Sequence, residues 1–93
     1  MHILALFFNM GNEESKFVFT QMQLLRSNGI SAELFHISAK IDKQFKYADK
    51  KNIPFAVIIG SDELEQQTCV VKNLLKGEQE IIPIRNISSY FTK

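Results

Sequence analysis

Cysteine is almost absent: Cys69 is the single thiol among 93 residues. No internal disulfide and no cysteine-rich zinc site can therefore form, a usage that fits a reducing cytoplasm. Glycine is sparse and scattered. Gly11, Gly29, Gly60 and Gly77 stand too far apart for a dinucleotide loop or a phosphate-binding loop, both of which need closely spaced glycines. The two histidines, His2 and His36, are isolated from each other. Neither belongs to a His-x-x-x-His or Glu-x-x-His pattern that would put two metal ligands on one face, so both are expected to be structural or surface residues, with no metal site. Excess charge of one sign is missing as well. A formal net charge of +1 excludes a strongly basic protein that coats phosphate backbones regardless of sequence, so any RNA site must be local. The opening apolar run, Ile3 to Phe8, is too short to cross a membrane and lacks the flanks of a secretory signal.

What is present describes an ordinary globular chain, 45% hydrophobic and 23% charged, of a size for one domain and one core. Ile3 to Phe8 reads as a strand covered on both faces, ended by the turn-prone Asn9-Met10-Gly11-Asn12. Asn12 is expected to cap a first helix, with Glu13 and Glu14 against its N-terminal dipole and Val18, Met22 and Leu25 at helical spacing. Gly29 suits a left-handed C-terminal cap, and Ile30 to Ile37 reads as a second strand. Ser38 is expected to cap a second helix with an apolar stripe of Ile41, Phe45 and Ala48, ended by Asn52 and Pro54. Phe55 to Gly60 is a β-branched and aromatic run, a central buried strand. The strand-helix-strand-helix-strand rhythm implies parallel pairing in the order 2-1-3. Beyond Gly60, an acidic turn from Ser61 to Glu65 precedes a fourth strand, Gln67 to Asn73, and a fifth, Gln79 to Ile84, paired antiparallel. Ile87, Tyr90 and Phe91 suit a short closing helix.

Few residues offer chemistry. Cys69, flanked by Val70 and Val71 in a strand, reads as a small buried hydrophobe, because a reactive thiolate needs a basic, exposed setting. Glu13-Glu14 and Asp62-Glu63 could be acid and base, but adjacent carboxylates at helix starts commonly serve the dipole. Five of the 11 basic residues fall between Lys40 and Lys51. That stripe is either a solvated helix face partly compensated by Asp42 and Asp49, or a ridge that positions RNA phosphates. A surface able to read unpaired bases follows the third strand. There Asp62 and Glu63 could accept from guanine N1 and N2, while Lys72, Gln67 and Thr68 offer donors. The residues alone leave both readings open.

Longer stretches carry a resemblance. Tyr47-Ala48-Asp49-Lys50-Lys51-Asn52-Ile53-Pro54 continuing to Gly60-Ser61-Asp62-Glu63-Leu64, then Val71-Lys72-Asn73-Leu74 and Gly77-Glu78-Gln79-Glu80, closely resemble the C-terminal anticodon-binding domain of histidyl-tRNA synthetases. Leu24 to Glu33 is similar to the same family's link from first helix to second strand. The departures are Ser61, where an acidic residue is common, and the end at Lys93, short of a longer terminal helix. The resemblance implies an α/β domain, residues 1–93, excised from a longer class II synthetase: a five-stranded mixed sheet flanked by three helices. It implies a cytoplasmic domain that holds the anticodon loop of histidine tRNA. The absent catalytic domain, its other partner, would activate histidine with ATP and Mg and transfer it to the tRNA. This domain itself would carry no cofactor and no catalytic residue. It further implies base contacts by Glu63 and Lys72, with Gln67 and Thr68 as neighbours, phosphate contacts by Lys40, Lys43 and Lys46, a dimeric parent and a monomeric fragment. The alternative is a synthetase-like interaction or dimerisation module that no longer reads tRNA.

Overall fold

The computed structural model describes residues 3–92, so His2 lies outside them. The chain runs β1 (Ala5–Phe7), α1 (Asn12–Ser27), β2 (Ala32–Leu34), α2 (Ile41–Lys50), β3 (Phe55–Ile58), α3 (Ser61–Gln66), β4 (Thr68–Asn73) and β5 (Glu78–Pro83). A 3-10 turn (Ile84–Asn86) then leads into α4 (Ile87–Phe91). One sheet holds the strands in the order β2-β1-β3-β4-β5. β1 is parallel to β2 and β3, and β4 is antiparallel to both β3 and β5. The expected mixed sheet and the 2-1-3 parallel order are both present, as two helical crossovers require.

The helices stop where the sequence suggests, through one shared device. Gly29 at φ +82° and Asn52 at φ +58° follow α1 and α2. After α1, Gly29 N donates to Arg26 O and Ile30 N to Leu25 O; after α2, Asn52 N donates to Asp49 O and Ile53 N to Ala48 O. Both are the paired capping bonds of a left-handed helix end, which satisfy carbonyls that the helix leaves open.

Helix starts depart from expectation. α1 takes Gly11 rather than Asn12 as its N-cap, because φ +137° at Gly11 turns the chain one residue earlier, in a conformation that a side chain resists. α2 begins at Ile41 with Lys40 as N-cap and no side-chain cap; Ser38 lies outside it. Its start is set by tertiary contact instead. The buried Gln44 amide accepts from Asn9 N at 2.7 Å and donates to Asn9 O and Ala39 O, each at 2.9 Å. The expected acidic turn after Gly60 is a helix, α3, which makes four α-helices among the described residues rather than three. Glu63 supplies the reason: its Oε1 accepts from Gly60 N at 2.9 Å, a capping-box bond that nucleates the turn.

Strand alternation divides the interior in two. Ala5, Phe7, Val57 and Val71 face α1 and α4, packing with Val18, Met22, Leu25 and Ile87. Leu6, Phe8 and Ala56 face α2, packing with Ala48, Ile53, Phe35 and the partly buried Phe45. α2 covers the β2-β1-β3 part of its face. The β4-β5 part stays open, with Val70 and Lys72 half-buried, Gln79 exposed and Ile81 69% exposed.

Candidate nucleic-acid interface

Glu63 occupies the first turn of α3, immediately after the C-terminal end of β3. The bond to Gly60 N engages one carboxylate oxygen and fixes the rotamer, while a carboxylate has about four lone-pair sites in all. α3 then ends at Gln67, which adopts φ +60° and so lies before β4, not within it as expected. Gln67 Nε2 donates to Leu64 O at 3.1 Å and its backbone carbonyl accepts from Ile84 N at 2.9 Å. Those bonds give Gln67 a clear capping role beside any role with a ligand.

Thr68 and Lys72 are in β4 and, four residues apart, share the face that α2 leaves open. Lys72 is paired across the sheet with Ala56 on β3 and Gln79 on β5. Its ammonium lies over the Phe45 ring, 4.8 Å from the centroid. Two sequence-predicted groups, Glu63 and Lys72, are thus each held by a neighbour. Phe45 carried no separate signal in the sequence, where it reads as one more member of an apolar stripe.

The two faces of the β4-β5 ladder differ electrostatically. On the α1/α4 side Glu78 and Glu80 are exposed. There the Tyr90 phenol is pushed above its ordinary pKa by burial first, then by the charge and hydrogen bond of Glu80 and the charge of Glu78. The two carboxylates disfavour phosphate there, although Lys76 lines the same hollow. The α2 side presents Lys72, Gln79 and Ile81, a surface without those carboxylates.

Lys43 and Lys46 on α2 and Lys40 at its N-cap are all exposed, and helical geometry separates them. At about 100° per residue, Lys43, Lys46 and Lys50 point away from the buried Gln44 and Ala48. Phe45 meets Lys72 of β4, whereas Tyr47 donates to Glu33 of β2 at 2.6 Å. Rotation from Phe45 away from the sheet passes Asp49 and Asp42, then Lys46. Lys43 lies further round, toward Tyr47 and β2, and Lys40 caps the helix on that same side.

Cys69 is fully buried and its thiol is pushed up to about 12 by burial, the opposite of nucleophile activation. His36 is exposed at the far edge of the sheet, its ring 4.9 Å from Phe35. It lines a groove of about 510 Å³ with Asn9, Phe19, Arg26 and Glu33. Among the described residues no three His, Cys, Asp or Glu side chains cluster to hold a metal, and no helix is long and apolar enough to cross a membrane.

An open half-sheet with a carboxylate at one strand end and a lysine on its floor suits single-stranded nucleic acid. The family described as an anticodon binding domain matches residues 8–93, and the chain belongs to that family. Within it, the similarity is to the histidine form. The chain is 43% identical over 75 residues to the histidine-tRNA ligase of Flavobacterium johnsoniae, covering 81% of this chain and 16% of the relative. It is 38% identical over 88 residues to that of Bacteroides fragilis, covering 95% and 19%. The solved histidyl-tRNA synthetase of Nostoc sp. PCC 7120 superposes with a TM-score of 0.92 at 30% identity, over 98% of this chain and 22% of that one. The RNA binding domain of threonyl-tRNA synthetase from Cryptosporidium parvum superposes at 0.86 with 13% identity, over 97% of this chain and 23% of its own, a likeness of fold alone. The chain spans less than a quarter of the length of these relatives.

Proposed function

We propose that this domain holds the anticodon loop of histidine tRNA for a longer histidine-tRNA ligase. The observation that carries this reading is the family match across residues 8–93, and the geometry supplies candidate contacts. Glu63, fixed by its capping bond, accepts from the Watson–Crick edge of an unpaired base such as guanine. Lys72 donates from the open sheet face, and Gln67 and Thr68 stand at the other end of β4, on the α3 side. Lys40, Lys43 and Lys46 contact phosphates, which position the loop without reading it. The rest of the synthetase, in the cytoplasm and as a homodimer, activates histidine with ATP and Mg and transfers it to the tRNA. This domain contributes recognition to that reaction and no chemistry.

The test is a titration of isotope-labelled protein with the histidine tRNA anticodon stem-loop and with the same hairpin carrying a scrambled anticodon, followed by amide chemical shifts. The expected result is anticodon-dependent shifts at Glu63 and Lys72. Glu63→Gln, which can keep the cap, and Lys72→Met should each weaken cognate binding about tenfold or more, the range for hydrogen bonds to charged groups. Equal responses to both hairpins would refute base reading and return the domain to the class of interaction modules.

A further inference from the structure

We propose that Phe45 is a positioning residue for base reading: it holds the Lys72 ammonium at the open sheet face, where the anticodon bases are received. The inference rests on the tRNA reading above and assigns a role to a residue that the reading leaves out.

Phe45 is itself held firmly. Its ring meets Phe8 edge-on, with centroids 4.7 Å apart and planes at 68°, and it is only partly buried. The preceding residue, Gln44, clamps α2 to Asn9, two residues past the end of β1, through the bonds already described, which sets the rotation of the helix. Phe45 is thereby aimed at β4. Lys72's neighbour on β3 is Ala56, whose single methyl leaves room for a lysine stem and a ring between helix and sheet. The ammonium sits 4.8 Å from the ring centroid, within the range where the negative face of the ring attracts a cation.

The ring's position on α2 explains why an aromatic residue matters there. Asp42 and Asp49 lie three residues before and four after Phe45, on its own flank of the helix. Without a π face to hold it, a flexible lysine would have those carboxylates as partners, directed toward α2 instead of the bases. Lysine carries large rotamer entropy. Restraining it before RNA arrives lowers the ordering cost on binding.

Three measurements on the intact chain test the proposal. Proton shifts of the Lys72 ε-methylene should be displaced upfield by the ring in the wild type and in Phe45→Trp, and lose that displacement in Phe45→Leu. Phe45→Leu should weaken cognate hairpin binding by roughly 2- to 5-fold, the fold-change equivalent of an exposed cation–π contact. It should also lower the cognate-to-scrambled ratio, with Phe45→Trp restoring both. In a Lys72→Met background, Phe45→Leu should have no further effect on that ratio, the signature of coupling. The proposal is overturned if Phe45→Leu loses the ring shift yet keeps wild-type discrimination. It is overturned equally if the ratio falls as far in the Lys72→Met background, which would mark a general packing effect. A wild-type protein that treats both hairpins alike overturns the tRNA reading and this inference with it, whatever the ring shift shows.

Discussion

Replacing Gln44 by alanine should be among the most damaging single changes in this chain, although the side chain touches no proposed ligand. Its amide makes three hydrogen bonds to Asn9 and Ala39 backbone groups and is fully buried. At about 1 kcal/mol net for each bond, the loss is about 3 kcal/mol, before any cavity term. A 93-residue domain has a total stability of roughly 5–14 kcal/mol, so this is a large share. The thermal midpoint should fall by about 12–24 °C. Urea unfolding followed by circular dichroism measures it, with the m-value expected to hold. Gln44→Glu sharpens the reasoning. A carboxylate there faces two carbonyl oxygens, whereas the neutral acid can donate to one of them, so burial and those oxygens raise its folded pKa above the unfolded value. The folded state then binds the extra proton, and the variant regains stability as pH falls from 7 through that folded pKa. A Gln44→Ala protein within about 0.5 kcal/mol of wild type would show that water satisfies the Asn9 backbone and would refute the clamp as the determinant of the α2 start.

The other expectations are narrower. Cys69, with its thiol pushed up to about 12 by burial, should be inert to a disulfide reagent at pH 8 and react only as urea unfolds the chain. The Tyr47 phenol is raised above its ordinary pKa first by its hydrogen bond to Glu33, then by burial and the Glu33 charge. Tyr47→Phe should therefore cost no more than about 1 kcal/mol at pH 7. That difference should vanish as pH rises above 10 through the folded pKa, as urea midpoints across the range would show; a constant difference would assign the effect to packing. Lys46→Gln should weaken hairpin binding more than Lys43→Gln and reduce the salt slope by about 0.7, because Lys46 lies nearer the Lys72 side of α2. A larger effect at Lys43 would route the RNA toward β2.

The fold was largely legible because its signals are local. A β-branched run such as Phe55 to Ile59, and glycine or asparagine at the ends of α1 and α2, determine strand and helix ends within a few residues. Helix starts were less so. Asn12 and Ser38 are sound capping residue types, but Gly11's backbone and the Gln44 clamp displaced them, and the second of these depends on Asn9, 35 residues away. Gln44 did leave a trace: it stands three residues after Ile41 and four before Ala48, a polar residue on the apolar stripe. In the sequence α3 reads as a turn because its six residues carry little periodicity; the signal for a helix is Glu63, three residues after Gly60, in capping-box position. For the candidate site, residue types could propose Glu63 and Lys72, but no local pattern links Lys72 to Phe45, since that contact is made by helix packing across the sheet.

The same packing reconciles a net charge of +1 with a proposed RNA site. Charge on this domain is segregated by face: Glu78 and Glu80 lie on the α1/α4 side of the sheet, Lys72 on the α2 side, and the Lys43, Lys46 and Lys50 stripe on the outer surface of α2. Between Lys72 and that stripe lie Asp49 and Asp42. An RNA backbone crossing from one to the other must pass those carboxylates, so continuous phosphate contact over this surface is disfavoured. On the proposed function, a loop whose bases turn down onto the sheet while its phosphates stay out by Lys46 would avoid that crossing. Selectivity, on the same proposal, would then rest on a few restrained groups such as Glu63 and Lys72, because a net charge of +1 supplies little indiscriminate attraction for nucleic acid.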